Sequence, residues 1–329
     1  MKTLYIIGNG FDIYHGLDTW YYSFALFLKR KHKDLYSNLT QYYSLPEIDE
    51  DEADEEKQKK IKAEWNLFEA ELAGLDFQTI LDENTDYIPS VSDDDYFSDI
   101  HAYSQIMQQK INELTHNLFA AFKEFILNVN FDTNINHKLI EIHSDSKFIS
   151  FNYTDTLEQY YGIPESRILY IHNKAKLSEE LVLGHSKELN PMHKPEPKMP
   201  EGLSEEDQQM WLDHQSSKYD YSYETGKEEL SYYFNESYKP TKGIIAKHQA
   251  FFEKLDNIEQ VNLLGHSMAE VDLPYFSHLM TVLSKNTIKW KISWFNAEER
   301  EYKTKVLTEM GVPLENIELI RIEDLLLTK

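Results

Sequence analysis

Five apolar runs in this chain each end in a small polar cluster: Gly8-Asn9-Gly10-Phe11-Asp12, Asn152-Tyr153-Thr154-Asp155, His172-Asn173, Gly184-His185-Ser186 and Gly265-His266-Ser267. An open α/β sheet binds ligands in the crevice beyond the carboxyl ends of its strands, so residues at these positions are candidates for chemistry. Glycine admits a close backbone approach, an amide offers two donors and an acceptor, and an imidazole exchanges a proton near neutral pH. Such a set suits the hydroxyls and phosphates of a nucleotide.

Gly8 and Gly10 have G-x-G spacing, but the next glycine is Gly16, and "KRKHK" stands where a dinucleotide fingerprint carries an acid. A nicotinamide dehydrogenase is therefore a poor reading, and the loop alone leaves a nucleotide site and an ordinary turn both open. Asn152 ends the run "KFISF" without a capping role, and its amide could orient ribose hydroxyls or a water. His172 follows "RILYI" directly; a core histidine bonded to backbone is the alternative, and its strand-end place favours a site. Asp155, three residues before Glu158, reads as a helix N-cap. Asp272 and Pro274 look like a helix start, with the aspartate at the N-cap, while His266 and Ser267 lie where amides and a hydroxyl can meet a ligand. Cysteine is absent, which removes disulfides, thiolate nucleophiles and cysteine-bearing zinc sites. No H-E-x-x-H spacing occurs, and no metal is expected.

The elements that must position these residues are short strands expected at 2–7, 147–151, 167–171, 181–184, 259–265, 288–295 and 317–322. Separated by helical or loop segments, they describe an α/β fold: a doubly wound, mostly parallel, Rossmann-like sheet. From about 33 to 140 the apolar residues fall at helical spacing instead. The expected core is thus discontinuous, 1–32 and 141–329, with a helical insertion at 33–140. An excursion at 187–240 holds Pro191, Pro195, Pro197 and Pro200, then Tyr219, Tyr221, Tyr223, Tyr232 and Tyr233. It reads as a lid over the sheet edge or as a packing arm. "VLGHS" (182–186) and "LLGHS" (263–267) echo each other, a match too short to establish a duplication.

Acidic residues outnumber basic ones 57 to 33, for a net charge of −24, which repels a phosphate backbone and disfavours DNA or RNA as partner. The run "EIDEDEADEE" (Glu47 to Glu56) reads as a solvated loop. No stretch approaches the ~20 apolar residues of a membrane span, and no signal-peptide pattern opens the chain, so a cytoplasmic protein with no membrane contact is expected.

The segments "LYIIGNGFDIYHGLDTWYYSF", "WNLFE", "FISFNYTDTLE", "YIHN" and "LLGHSMAEVDLPYF", in that order, resemble the bacteriophage abortive-infection AbiH family. The resemblance reaches both ends of the α/β core, with the acidic loop and the Tyr-rich excursion outside it. A more distant likeness is to Sir2-like proteins, whose first loop reads G-A-G-x-S and then G-[IL]-P. Gly8, Asn9, Gly10 and Gly16-Leu17 stand in those places, with Trp20 where an aromatic is common. Asp12 replaces the serine, and its charge would repel a pyrophosphate unless it faces a ribose or caps the helix.

The resemblance implies an effector that binds a nucleotide, with NAD as substrate or ligand, and halts the infected cell. In Sir2-like enzymes an asparagine and a later histidine serve the nicotinamide ribose, and the matching residues here are Asn152 and His172. Gly8, Asn9, Gly10, Phe11, Asp12, Gly265, His266, Ser267 and Asp272 would form the binding wall. Cleavage of NAD between nicotinamide and ribose would need no further cofactor; the absent cysteines argue against the zinc module of protein-deacylating sirtuins. A non-catalytic nucleotide sensor or interaction component on the same scaffold is the competing reading. A hydrolase or transferase for another nucleotide is a third. Expected partners are a phage-derived trigger or partner protein and further copies of the chain.

Overall fold

A computed structural model describes residues 2–327 apart from 91, 93, 136–137, 144, 177, 188–191, 193–197, 218–219 and 284–286, with 214–217 described in the backbone alone. Pro191, Pro195, Pro197 and Tyr219 lie outside the described residues. Six strands form one sheet: β1 (Thr3–Ile7), β2 (Lys147–Ser150), β3 (Ile168–Tyr170), β4 (Gln260–Leu264), β5 (Lys289–Ser293) and β6 (Ile317–Ile320). Their order is β3-β2-β1-β4-β5-β6 and every pairing is parallel. This is the doubly wound Rossmann order, with its switch point between β1 and β4.

Both central strands are buried along their whole length, as a parallel sheet covered on two faces requires. Side chains alternate between faces. Leu4, Ile6, Ile149, Val261, Leu263 and Ile292 join one core, while Tyr5, Ile7, Phe148 and Leu264 join the other.

Between β1 and β2 the described residues are helical or irregular. Helices at Tyr21–Lys31, Lys33–Tyr42, Glu55–Trp65 and Ala102–Asn112 and Leu118–Leu127 build a separate core around Phe24, Trp65, Phe68 and Phe122. Leu230, Tyr233 and Phe234 from the 187–240 segment enter that same core. The helix Tyr221–Ser231 of that segment packs along Ala102–Asn112, where Gly226 leaves room for the Tyr103 ring. The acidic run is partly anchored: Ile48 is buried and Asp54 caps the next helix by accepting from the Glu56 and Lys57 amides.

One expected strand does not form. Residues 181–184 are irregular, and Leu181 and Leu183 pack into the helical core. His185 makes only an isolated bridge to Tyr238, and Gly184 lies so close to the backbone of Ser237 that a Cβ would fall 2.0 Å from its carbonyl oxygen. The run is apolar because it is buried against helices, not because it pairs in the sheet, so the "GHS" echo is no repeat of structure. No helix among the described residues is long and apolar enough to cross a membrane.

Candidate functional site

The loops after β1 and β4 cross at van der Waals contact, and glycine makes the crossing possible. Gly265 takes φ +66°, and a Cβ there would lie 2.0 Å from the Phe11 nitrogen. One on Gly8 would lie 2.4 Å from the His266 Cα, and one on Gly10 2.8 Å from the Gly265 oxygen. The amides are committed as well. Gly8 N donates to Leu264 O (3.0 Å), Gly10 N to Gly265 O (2.7 Å) and Phe11 N to Gly8 O (2.9 Å). Asn9 ties down Thr19, its Nδ2 donating to Thr19 O (2.9 Å) while Thr19 Oγ1 donates to Asn9 Oδ1 (2.6 Å). Phe11 is wholly buried in the core.

Asp12 also turns inward. Thr154 Oγ1 and Thr156 Oγ1 donate to its carboxylate at 2.5 and 2.7 Å. Burial raises its pKa to about 6, against the lowering effect of those two hydroxyls. Asn152 stands close enough to favour the ionised carboxyl, yet neither Oδ1 nor Nδ2 of its own amide completes a hydrogen bond. Asp155 occupies the N-cap position but does not cap with its side chain, which accepts from Gln159 Nε2 instead.

A second group gathers around Asp272. That residue precedes the helix Leu273–Val282 with Pro274 in the first turn, as its sequence suggests, but its side chain makes no cap and points inward. His172 Nε2 lies 3.5 Å from Asp272 Oδ1, His266 Nε2 lies 3.5 Å from Oδ2, and Lys239 Nζ lies 3.7 Å from Oδ1. The Met268 amide donates to His266 Nδ1 (2.8 Å), so the proton of the neutral ring sits on Nε2, facing the carboxylate. His172 hydrogen-bonds the Phe151 backbone, and the Phe151 ring stands against both imidazoles, with centroids 5.3 and 4.2 Å away.

Burial sets the charges. It drops His172 well below its ordinary pKa and His266 to about 3, with nearby lysines adding to the effect, so both rings are neutral. It raises Asp272 to about 6, against the pull of Lys239. For Lys239 burial alone would lower the pKa, but Glu69 and Asp272 together reverse this and raise it. Lys239 Nζ donates to Glu69 Oε2 (2.6 Å), and the hydroxyls of Tyr21 and Tyr153 donate to Glu69 Oε1. Among the described residues no three or more His, Cys, Asp or Glu side chains are placed to hold a metal ion.

The site is thus roofed. Glu69 and Tyr21 come from the helical layer and Lys239 from the 187–240 segment, and they close over the strand ends. His172 Nε2, Asp272 Oδ1 and Tyr275 Oη in this group, and Asn152 Oδ1 and Nδ2 beside Asp12, are buried without hydrogen bonds. Two non-glycine residues among those described take left-handed φ, Asn173 (62°) and Met268 (58°), in the loops carrying His172 and His266. Strain of this kind persists where surrounding contacts enforce it, often at functional sites.

His172, His266 and Asp272 therefore converge. Asn152 adjoins Asp12; Gly8, Gly10 and Gly265 shape the crossing; Ser267 is exposed beside it. Glu69, Lys239 and Tyr21 were not singled out by the sequence as site residues, and Tyr153 stood in a strand-end cluster without an assigned role. The one signal for Glu69 is its place in "WNLFE", an acid closing an aromatic run.

These features define a Rossmann-like α/β protein in which a buried carboxylate, two imidazoles and an ammonium group gather near the carboxyl ends of the strands. Over residues 4–294 the chain matches the family model described as bacteriophage abortive infection AbiH, and it belongs to that family. The match runs through the acidic loop and the Tyr-rich segment, correcting the expectation that both lie outside it, and stops short of β6. No curated protein and no solved structure matches the chain. The family description points to a role in phage abortive infection.

Proposed function

We propose that the protein is an abortive-infection effector that binds a nucleotide at the carboxyl end of its sheet and hydrolyses NAD between nicotinamide and ribose. One observation carries this reading: polar atoms of Asn152 and His172, at strand ends, and of Asp272 and Tyr275, at the start of the helix after β4, are buried without hydrogen bonds. Buried polar atoms without partners are costly, and a sugar supplies the hydroxyls that would satisfy them. A neutral imidazole and an amide are hydrogen-bonding groups for a ribose, and a carboxyl with a pKa of about 6 is a base suited to near-neutral pH.

In this reading His172 holds a ribose hydroxyl and Asn152 orients ribose and water. The bond from ribose C1′ to the nicotinamide nitrogen breaks through an oxocarbenium-like transition state, and nicotinamide leaves neutral. Water adds to C1′, its proton passes to Asp272, and ADP-ribose is the second product. NAD is the substrate, and no cofactor is required. A phage-derived partner is the proposed trigger of the activity.

The test is ligand-induced thermal stabilisation with NAD, ADP-ribose and adenosine, for wild type, Asn152→Ala and His172→Ala, with nicotinamide release followed in parallel. The proposal expects stabilisation and release by wild type and loss of release in both folded variants. Stabilisation without release, with phage lysate present, would make the protein a sensor. Neither would leave an interaction role.

A further inference from the structure

A nucleotide brings phosphate, and phosphate needs free amides or cationic donors. The first loop has few to give, because the Gly8, Gly10 and Phe11 amides are bonded within the β1/β4 crossing. The helix that follows is only six residues long and carries buried Asp12. Lys303 is buried too, but it donates to Ser293 O and pairs with Glu299 one turn earlier on its own helix.

Lys239 is different. It is wholly buried, and with Tyr21 it donates to a single carboxylate, that of Glu69, while the Tyr153 hydroxyl, from a third segment, shares its one proton between Glu69 Oε1 (3.2 Å) and Val182 O (3.0 Å). Both tyrosines have pKa values raised well above the ordinary value, chiefly by burial and by Glu69, so they stay protonated donors. The unpartnered Asp272 Oδ1 stands 3.7 Å from the ammonium.

We infer that Lys239, Tyr21 and Tyr153 form the phosphate subsite, and that Glu69 fills it in the resting protein as an internal stand-in for the ligand's anion. The inference rests on the nucleotide reading for the source of the phosphate. Carboxylate and phosphate oxygens accept the same charge-assisted hydrogen bonds, so one replaces the other without leaving the buried ammonium unpaired. Glu69 sits on a four-residue helix, Phe68–Glu71, whose Phe68 is anchored in the helical core. With the helix held by Phe68, the Glu69 carboxylate leaves the subsite by side-chain rotation, which frees Lys239 for the incoming phosphate.

The test uses the full chain with inorganic pyrophosphate, ADP-ribose and adenosine as probes. Glu69→Ala should melt below wild type, and pyrophosphate should restore its melting temperature while leaving wild type little changed. Glu69→Gln, which keeps an acceptor for Lys239, should bind ADP-ribose at least about tenfold more tightly than wild type does, with adenosine unchanged. Adding Lys239→Met to Glu69→Ala should abolish the pyrophosphate response. If pyrophosphate and ADP-ribose act on both Glu69 variants as they act on wild type, the inference is wrong. If wild type cleaves NAD while the Glu69 variants gain nothing, the subsite fails alone. If Glu69→Ala responds to pyrophosphate and no form binds NAD or ADP-ribose, the subsite stands and the nucleotide reading fails.

Discussion

Gly265→Ala should be among the most damaging single-methyl additions in this protein, and Gly162→Ala provides its control. Both glycines take nearly the same left-handed conformation, φ +66° and +62°. The backbone penalty for alanine, about 1–2 kcal/mol, is therefore common to both. They differ in space. At Gly162 nothing lies within 4 Å of the added carbon, whereas at Gly265 it would meet the Phe11 nitrogen at 2.0 Å and the Gly10 carbonyl carbon at 2.5 Å. Both neighbours are backbone, so relief requires the β1 and β4 loops to separate. That separation strains the bonds Gly10 N to Gly265 O and Gly8 N to Leu264 O. An unsatisfied buried backbone group costs about 1–3 kcal/mol. Gly265→Ala should thus lose at least about 2 kcal/mol more than Gly162→Ala. Urea unfolding of the two variants beside wild type, followed by circular dichroism at neutral pH, measures the difference. Equal losses would refute the close crossing and free the first loop to act as a phosphate cradle.

Two further outcomes follow from the buried charges. Lys239→Met should destabilise by about 3–5 kcal/mol, because it leaves half-buried Glu69 and buried Asp272 without a cation, and adding Glu69→Met should recover much of the loss in urea unfolding; a double variant no better than the single one would contradict this. Asp12 is raised from 3.8 to about 6 on folding, so its contribution to stability is complete below pH 3.8 and is lost as pH rises through about 6. Asp12→Asn stays neutral, so its stability relative to wild type should rise between about pH 4 and 6, by at most about 3 kcal/mol, in urea unfolding across that range. A difference that stays flat with pH would show that Asp12 is not held in its neutral form.

The central strands were legible because a parallel sheet buried on both faces demands continuous apolar runs, and β1 and β4 are such runs. The same signal misled at 181–184, since an apolar run reports burial and not the partner that buries it. His172 and His266 could be found because the strand-end rule places them at the ligand end of the sheet. Asp272 was located by its helix start, but the inward turn of its carboxyl depends on two imidazoles and an ammonium remote in sequence. Glu69 and Lys239 meet across 170 positions through the packing of helical segments, and one acid among 57 acidic residues gives no local sign of such a partner. The first glycines were read as a possible ligand cradle, while their nearest demand is the contact with Gly265.

The most direct measurement is nicotinamide release from NAD by the purified protein, with and without phage lysate, resolved by chromatography for wild type, Asn152→Ala and His172→Ala. Wild type should give equal amounts of nicotinamide and ADP-ribose, and the two variants neither product above background, each retaining the wild-type circular dichroism spectrum. Nicotinamide release that persists in both variants, or is absent from wild type under every condition, would contradict the proposal.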